Sequence, residues 1–137
     1  MRKIYLILTA AALLNGVAFA QSMAAGRAEL MSTVPASSKT VSDWYKQDIY
    51  DPSGSKIGKI DDVLVSNGGQ VNALMVGVGG FLGAGEKDVA VPFAAVRETT
   101  KDNKTYLTMD ATKDALKSAP GFKYDSDKTS WMPDKSK

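Results

Sequence analysis

GVGGFLGAGEKDVAVPFAAV, Gly77 to Val96, joins a glycine-rich run to an alternating strand that stops at a proline. Gly77, Gly79, Gly80, Gly83 and Gly85 permit positive φ angles and close backbone approach, as a sharp strand-to-strand corner requires. Val89 and Val91 then alternate with Asp88 and Ala90 until Pro92 removes a backbone donor and ends the ladder. The same glycines fail both phosphate-loop patterns. Counted from Gly77, GxGxxG needs glycine where Leu82 stands, and counted from Gly80, Glu86 occupies the place of the phosphate-binding lysine. The run therefore reads as a structural corner with Phe81 and Leu82 at its middle. These two side chains either fold back to plug a barrel end or form an apolar tip for a partner or membrane surface. Plugging is the expectation, because small barrels fill their interiors with side chains.

On both sides of the corner, short strands alternate with turn chemistry from Val41 to about Pro120, the pattern of a small barrel or sandwich. Asp51-Pro52-Ser53-Gly54 predicts a turn between a strand ending near Tyr50 and one beginning near Lys56. Asn67-Gly68-Gly69 predicts a hairpin between Ile57–Ser66 and Gln70–Val78. Ile57 and Ile60 lie out of phase for one strand, and a bulge near Gly58 or Asp61 would restore the register and bend the sheet. Gln70–Val78 carries Leu74, Val76 and Val78 on one face and Val71, Ala73 and Met75 on the other, so it should be buried on both sides. Thr105, Leu107 and Met109 form a further strand after the Lys101-Asp102-Asn103 turn. Asp110 reads as the N-cap of a short helix with Ala111, Ala115, Leu116 and Ala119 on one face, ended by Pro120-Gly121 and placed to cover the second apolar face.

The ends read differently. Arg2 and Lys3, the apolar run Ile4 to Leu14 and Ala18-Phe19-Ala20 predict a secretory signal peptide over residues 1–20, cut before Gln21, with a periplasmic or secreted product. The apolar run is about half of the roughly 20 residues a membrane-spanning helix needs, so no transmembrane segment is expected in the mature chain. Residues 21–40 read as a flexible leader, 41–120 as the domain, and 121–137 as a polar tail that could lie along the barrel or stay mobile. Without cysteine, stability has to come from an apolar core. Loss of Arg2 and Lys3 leaves 15 basic residues, from the 17 of the whole chain, against 15 acidic ones, which removes any composition-level case for nucleic acid as partner.

With neither histidine nor cysteine, Ser/His/Asp and Cys/His catalysis, histidine-ligated zinc and covalent haem lack their essential groups. Asp61, Asp62, Glu86 and Asp88 match no known ligand loop, and adjacent Asp61 and Asp62 point to opposite strand faces unless the bulge turns them together. No catalytic, metal or cofactor-binding residue is therefore assigned, and the chain is not read as an enzyme.

Asp48 to Val96, DIYDPSGSKIGKIDDVLVSNGGQVNALMVGVGGFLGAGEKDVAVPFAAV, followed by YLTMDATKDAL, Tyr106 to Leu116, resembles the PRC-barrel family in the order of its turn, hairpin, glycine corner and closing strand and helix. Trp44-Tyr45-Lys46 departs from the pattern, standing where relatives tend to carry a smaller apolar pair and a glycine. The resemblance implies a mainly β fold, a small barrel with a short C-terminal helix, used as a docking module. The expectation is a non-enzymatic exported module making protein contacts in the bacterial envelope, with an envelope protein or a second copy of the chain as partner. Phe81, Leu82, Trp44 and Tyr45 are the candidate contacts. The alternative is a barrel that binds a small ligand or surface polysaccharide, with Tyr45, Tyr50, Trp44 or Trp131 as stacking platforms.

Overall fold

The computed structural model describes residues 28–80 and 85–136 of the chain. The stretch expected to be a signal peptide, the start of the expected leader, and Phe81, Leu82 and Gly83 of the corner lie outside the described residues. The chain divides into two units, Met1–Ala36 and Ser37–Lys137. In the first, residues 28–36 are exposed and form neither helix nor strand.

The second unit carries β1 (Asp48–Tyr50), β2 (Lys56–Val65), β3 (Val71–Val78), β4 (Lys87–Pro92), β5 (Val96–Lys101), β6 (Lys104–Met109), α1 (Lys113–Ser118), β7 (Phe122–Asp125) and β8 (Ser130–Pro133). The strands form one mainly antiparallel sheet in the order β5-β6-β1-β2-β3-β4-β7-β8, with β1 and β6 parallel. The chain connection forces this sheet to curl. In a flat sheet β4 and β5 would lie five strand spacings apart, about 24 Å. The 3-10 turn Phe93–Ala95 joins them directly, and the four steps from Pro92 to Val96 span at most about 14 Å. The small mainly β barrel expected from the sequence is the result.

The Asp51–Gly54 turn and the Asn67–Gly69 hairpin fall where the sequence puts them, with Gly54 at φ 88° and Gly69 at φ 81°. Both proposed bulge positions are used. Against β1 the register steps from Gly58 to Lys56, passing over Ile57, and against β3 it steps from Ile60 to Asp62, passing over Asp61. These shifts let Ile57 and Ile60 both enter the core, which also holds Trp44, Ile49, Leu74, Val76, Val78, Val89, Val91, Val96, Leu107, Met109 and Leu116.

β3 is buried on two sides, as its sequence demands: Met75 is fully buried yet stands apart from that inner cluster, on the opposite face. The helix does not supply its cover. Leu116 of α1 joins the inner core, and Ala111 and Ala119 pack against it. The helix also starts later than predicted. Thr112, not Asp110, is the N-cap, its hydroxyl accepting from the Ala115 backbone N–H at 3.1 Å. The Lys87 ammonium donates to the carbonyls of Lys117 and Ala119 and holds the other end of α1 against β4.

The last residues, read as a polar tail, are a hairpin. β7 and β8 pair through four positions from Phe122↔Pro133 to Asp125↔Ser130, and β7 adjoins β4 at Asp88↔Phe122. Trp131 Nε1 donates to Asp62 Oδ2 at 2.8 Å, and Asp62 is the register partner of Met75. The hairpin thus reaches over the outer face of β2, β3 and β4.

Candidate functional site

Two regions of the barrel surface gather functional groups. The first is a groove of about 1000 Å³ lined by outward residues of β1, β6 and β5 and, at its base, by Val91, Met109 and Leu116 of the core. Its side chains follow from strand alternation: Leu107 and Met109 of β6 point inward, so Tyr106 and Thr108 point outward, and on β5 inward Val96 leaves Arg97 and Thr99 on the open side. Register places Arg97 beside Thr108, Thr99 beside Tyr106, and Tyr50 of β1 beside Thr108. The Tyr50 and Tyr106 rings meet edge to face, 5.7 Å apart at 85°, and the Thr99 and Thr108 hydroxyls hydrogen-bond at 2.9 Å. One rim is the Asp51 turn, whose carboxylate accepts from the Ser53 hydroxyl at 2.6 Å and from the Ser53 and Ser55 backbone N–H groups, each at 2.9 Å. The Ser53 hydroxyl and these amides hold the Asp51 carboxyl below its ordinary pKa, so this acid is committed to the turn. β5 pairs with β6 alone among the described residues, so its other edge bounds the groove as an open strand.

The second region is acidic. Gly77 lies inside β3, not in the corner proper, and its missing side chain serves the neighbouring strands. A Cβ there would collide with Glu86 Oε1 and Asp61 Oδ2, which crowd the same space. Asp88, the register partner of Gly77 on β4, completes the group. Asp61 reaches it because the bulge turns it there, while Asp62 turns to Trp131. Lys46 donates to Asp61 Oδ1 at 2.7 Å, and this bond raises the lysine's pKa. Its backbone has φ 65°, the left-handed conformation that favours the glycine expected at this place in the barrel pattern. Burial first, then the Asp61 carboxyl beside it and Glu86, push Asp88 up to about 6. Among the described residues no group of three or more acidic side chains is arranged to hold a metal ion.

The residues singled out from sequence are dispersed. Trp44 is 8% exposed, a core residue stacked on Phe93 at 4.7 Å with its indole N–H donating to Glu98 Oε1 at 3.1 Å, so its ring is closed to a partner. Lys39 and this indole hold the Glu98 pKa down. Tyr45 is half exposed, with the Lys46 ammonium 5.1 Å from its ring centre. Gly79, Gly80 and Gly85 take φ angles of 78°, 73° and 72°, as a corner requires. Phe81 and Leu82 fall outside the described residues. Of the aromatic platforms, Tyr50 alone lines the groove, and Trp131 is tied to Asp62. Tyr106, Arg97, Thr99 and Thr108 were missed. The alternation of Tyr106 and Thr108 against Leu107 and Met109 carried the signal, and it was used only to find the strand.

A family model described as PRC-barrel domain matches residues 38–116. That is more than half of the 137 residues, and it ends before β7 and β8. No curated protein matches the chain.

Proposed function

The chain belongs to the PRC-barrel family, and on that premise we propose that it is a non-enzymatic docking module, exported to the bacterial envelope, that takes an extended segment of a protein partner along β5. The open edge of β5 beside the Tyr50–Tyr106 groove is the observation that carries this reading. An edge strand offers unpaired backbone groups to an added strand, and an adjoining groove supplies side-chain specificity. Arg97 and the two tyrosines are the residue types that dominate binding energy at protein interfaces.

A sugar-binding groove is less well supported by the same geometry. A flat sugar face stacks on an open ring, whereas Tyr50 and Tyr106 stand at 85° and form no shared platform. Export is supported by the charged, apolar and small-residue order of residues 1–20. The lack of histidine and cysteine, and the commitment of Asp51 to its turn, speak against catalysis in the groove.

The test is photo-crosslinking from position 99 of the mature protein in envelope extract, repeated with Arg97→Glu and Tyr106→Ser. A discrete protein adduct is expected, lost in both variants while their melting temperatures hold. An adduct of equal yield in both variants, or none from the parent, would refute the groove as the docking site.

A further inference from the structure

The hairpin between β2 and β3 closes through a turn bonded at its flanks and open at its tip. The Gly69 N–H donates to the Ser66 carbonyl at 2.9 Å, which makes Asn67 and Gly68 the central pair, and Gly69 takes φ 81°. The Ser66 N–H donates to the Gln70 carbonyl at 2.8 Å, and the Gln70 N–H donates to the Ser66 hydroxyl at 3.1 Å. Asn67 and Gly68 are both exposed. Among the described residues, neither the Asn67 side-chain amide nor the Gly68 backbone N–H has a hydrogen-bond partner. Gly68 carries no Cβ to stand between its nitrogen and the Asn67 side chain. The place a Cβ would take meets nothing closer than the Ser66 Oγ at 3.7 Å.

We infer that Asn67 is a site of spontaneous covalent modification, which turns it into aspartate and isoaspartate and opens the β2–β3 hairpin from its tip. The Gly68 nitrogen attacks Asn67 Cγ, gives up its proton to solvent and expels the side-chain nitrogen as ammonia, closing a cyclic imide. Water then opens the ring. Opening at Cγ leaves aspartate, and opening at the main-chain carbonyl leaves isoaspartate, whose backbone runs through Cβ and Cγ. Either way a water enters and an ammonia leaves, with no change of oxidation state.

The other asparagines are placed differently. Asn72 lies within β3, where Ala73 is held in register between Leu64 and Pro92, so the Ala73 nitrogen cannot turn onto the Asn72 side chain without breaking the ladder. Asn103 precedes Lys104, whose side chain crowds the attacking nitrogen and whose backbone begins β6. Asn15 is also followed by glycine, but it lies outside the described residues, in the stretch expected to be cut off.

The two products act differently on the fold. Aspartate adds a charge at an exposed tip and leaves the backbone path as it was. Isoaspartate lengthens the main chain between the Ser66 carbonyl and the Gly69 N–H, so the bond that closes the turn is lost. The pair nearest the tip, Val65↔Val71, then frays, and β3 loses one end of its pairing with β2.

The experiment is prolonged incubation of the whole chain in mildly alkaline buffer, followed by peptide mapping and by labelling with an isoaspartate-specific methyltransferase. Residue 67 is expected to gain the mass of OH in place of NH2 ahead of residues 72 and 103, and to become the methyl acceptor. Gly68→Ala should slow the gain severalfold. The isoaspartate form, separated by ion exchange, should melt below both the unmodified protein and a fresh Asn67→Asp protein. Equal conversion at residues 67, 72 and 103, or an unchanged rate in Gly68→Ala, overturns the proposal. So does an isoaspartate form that melts with Asn67→Asp. The comparison of the three asparagines is made within the parent chain, so it decides the site even if Gly68→Ala fails to fold.

Discussion

At the scale of single residues, Gly77 shows how a strand position is chosen by what surrounds it. Glycine weakens a strand, and alanine in its place ordinarily gains about 0.5–1 kcal/mol. At Gly77 the added methyl would collide with the Glu86 and Asp61 carboxylates, the second of which is held by Lys46. Overpacking of this kind costs about 1–3 kcal/mol, so the clash outweighs the propensity and Gly77→Ala should be a net loss. Gly68 is the control. Its Cβ would meet nothing closer than the Ser66 hydroxyl at 3.7 Å, so Gly68→Ala should stay within about 0.5 kcal/mol of the parent. Urea unfolding of the two variants decides it, and a Gly77→Ala protein as stable as Gly68→Ala would mean that the carboxylates yield freely.

At the scale of elements, α1 separates what local sequence determines from what the fold determines. Asp110 and Thr112 are both good N-caps by type, and the stretch Asp110 to Leu116 does not rank them. The choice falls to Thr112 because Leu116 must enter the core and Lys87, from a distant strand, closes the far end. Thr112→Ala should therefore cost about 1 kcal/mol and Asp110→Ala less than about 0.5 kcal/mol, measured by chemical denaturation. Reversed magnitudes would restore Asp110 as the cap. The strands were legible because a period of two is written within each segment, and the bulges because Ile57 and Ile60 broke that period. Trp44 was not legible as core, since the partners that close it in, Phe93 and Glu98, lie on a turn and a strand far along the chain. Nor was the hairpin, whose strands of four residues each are too short to display a period amid Lys, Asp, Ser and Thr. The groove was half legible: Tyr50 was noted, but its neighbours come from β5 and β6, and only the sheet order brings those beside β1.

At the scale of the whole molecule, stability depends on β3, because the curled sheet places its inner face at the centre of the core and its outer face under the hairpin. Val76 is 0% exposed and is paired with Ile60 and Val89, both also 0% exposed. A carboxylate there would have no cation in the inner cluster to meet it, since that cluster is wholly apolar. Burying it unpaired costs several kcal/mol, and the lost apolar contact adds about 1.5–3 kcal/mol. A domain of this size has about 5–15 kcal/mol in total, so Val76→Asp should remove most or all of its stability. Val65→Asp puts the same charge on the neighbouring strand β2 at a residue 54% exposed, and should be nearly neutral. The comparison isolates burial from charge and from strand propensity, and thermal melting reads it directly. A loss of several kcal/mol displaces the melting temperature by tens of degrees or abolishes the transition, given about 4–8 °C per kcal/mol for a domain near 100 residues. If Val76→Asp instead melts beside Val65→Asp, water reaches the inner face of β3, and a sheet open at that strand does not curl around a core as the short link from β4 to β5 requires.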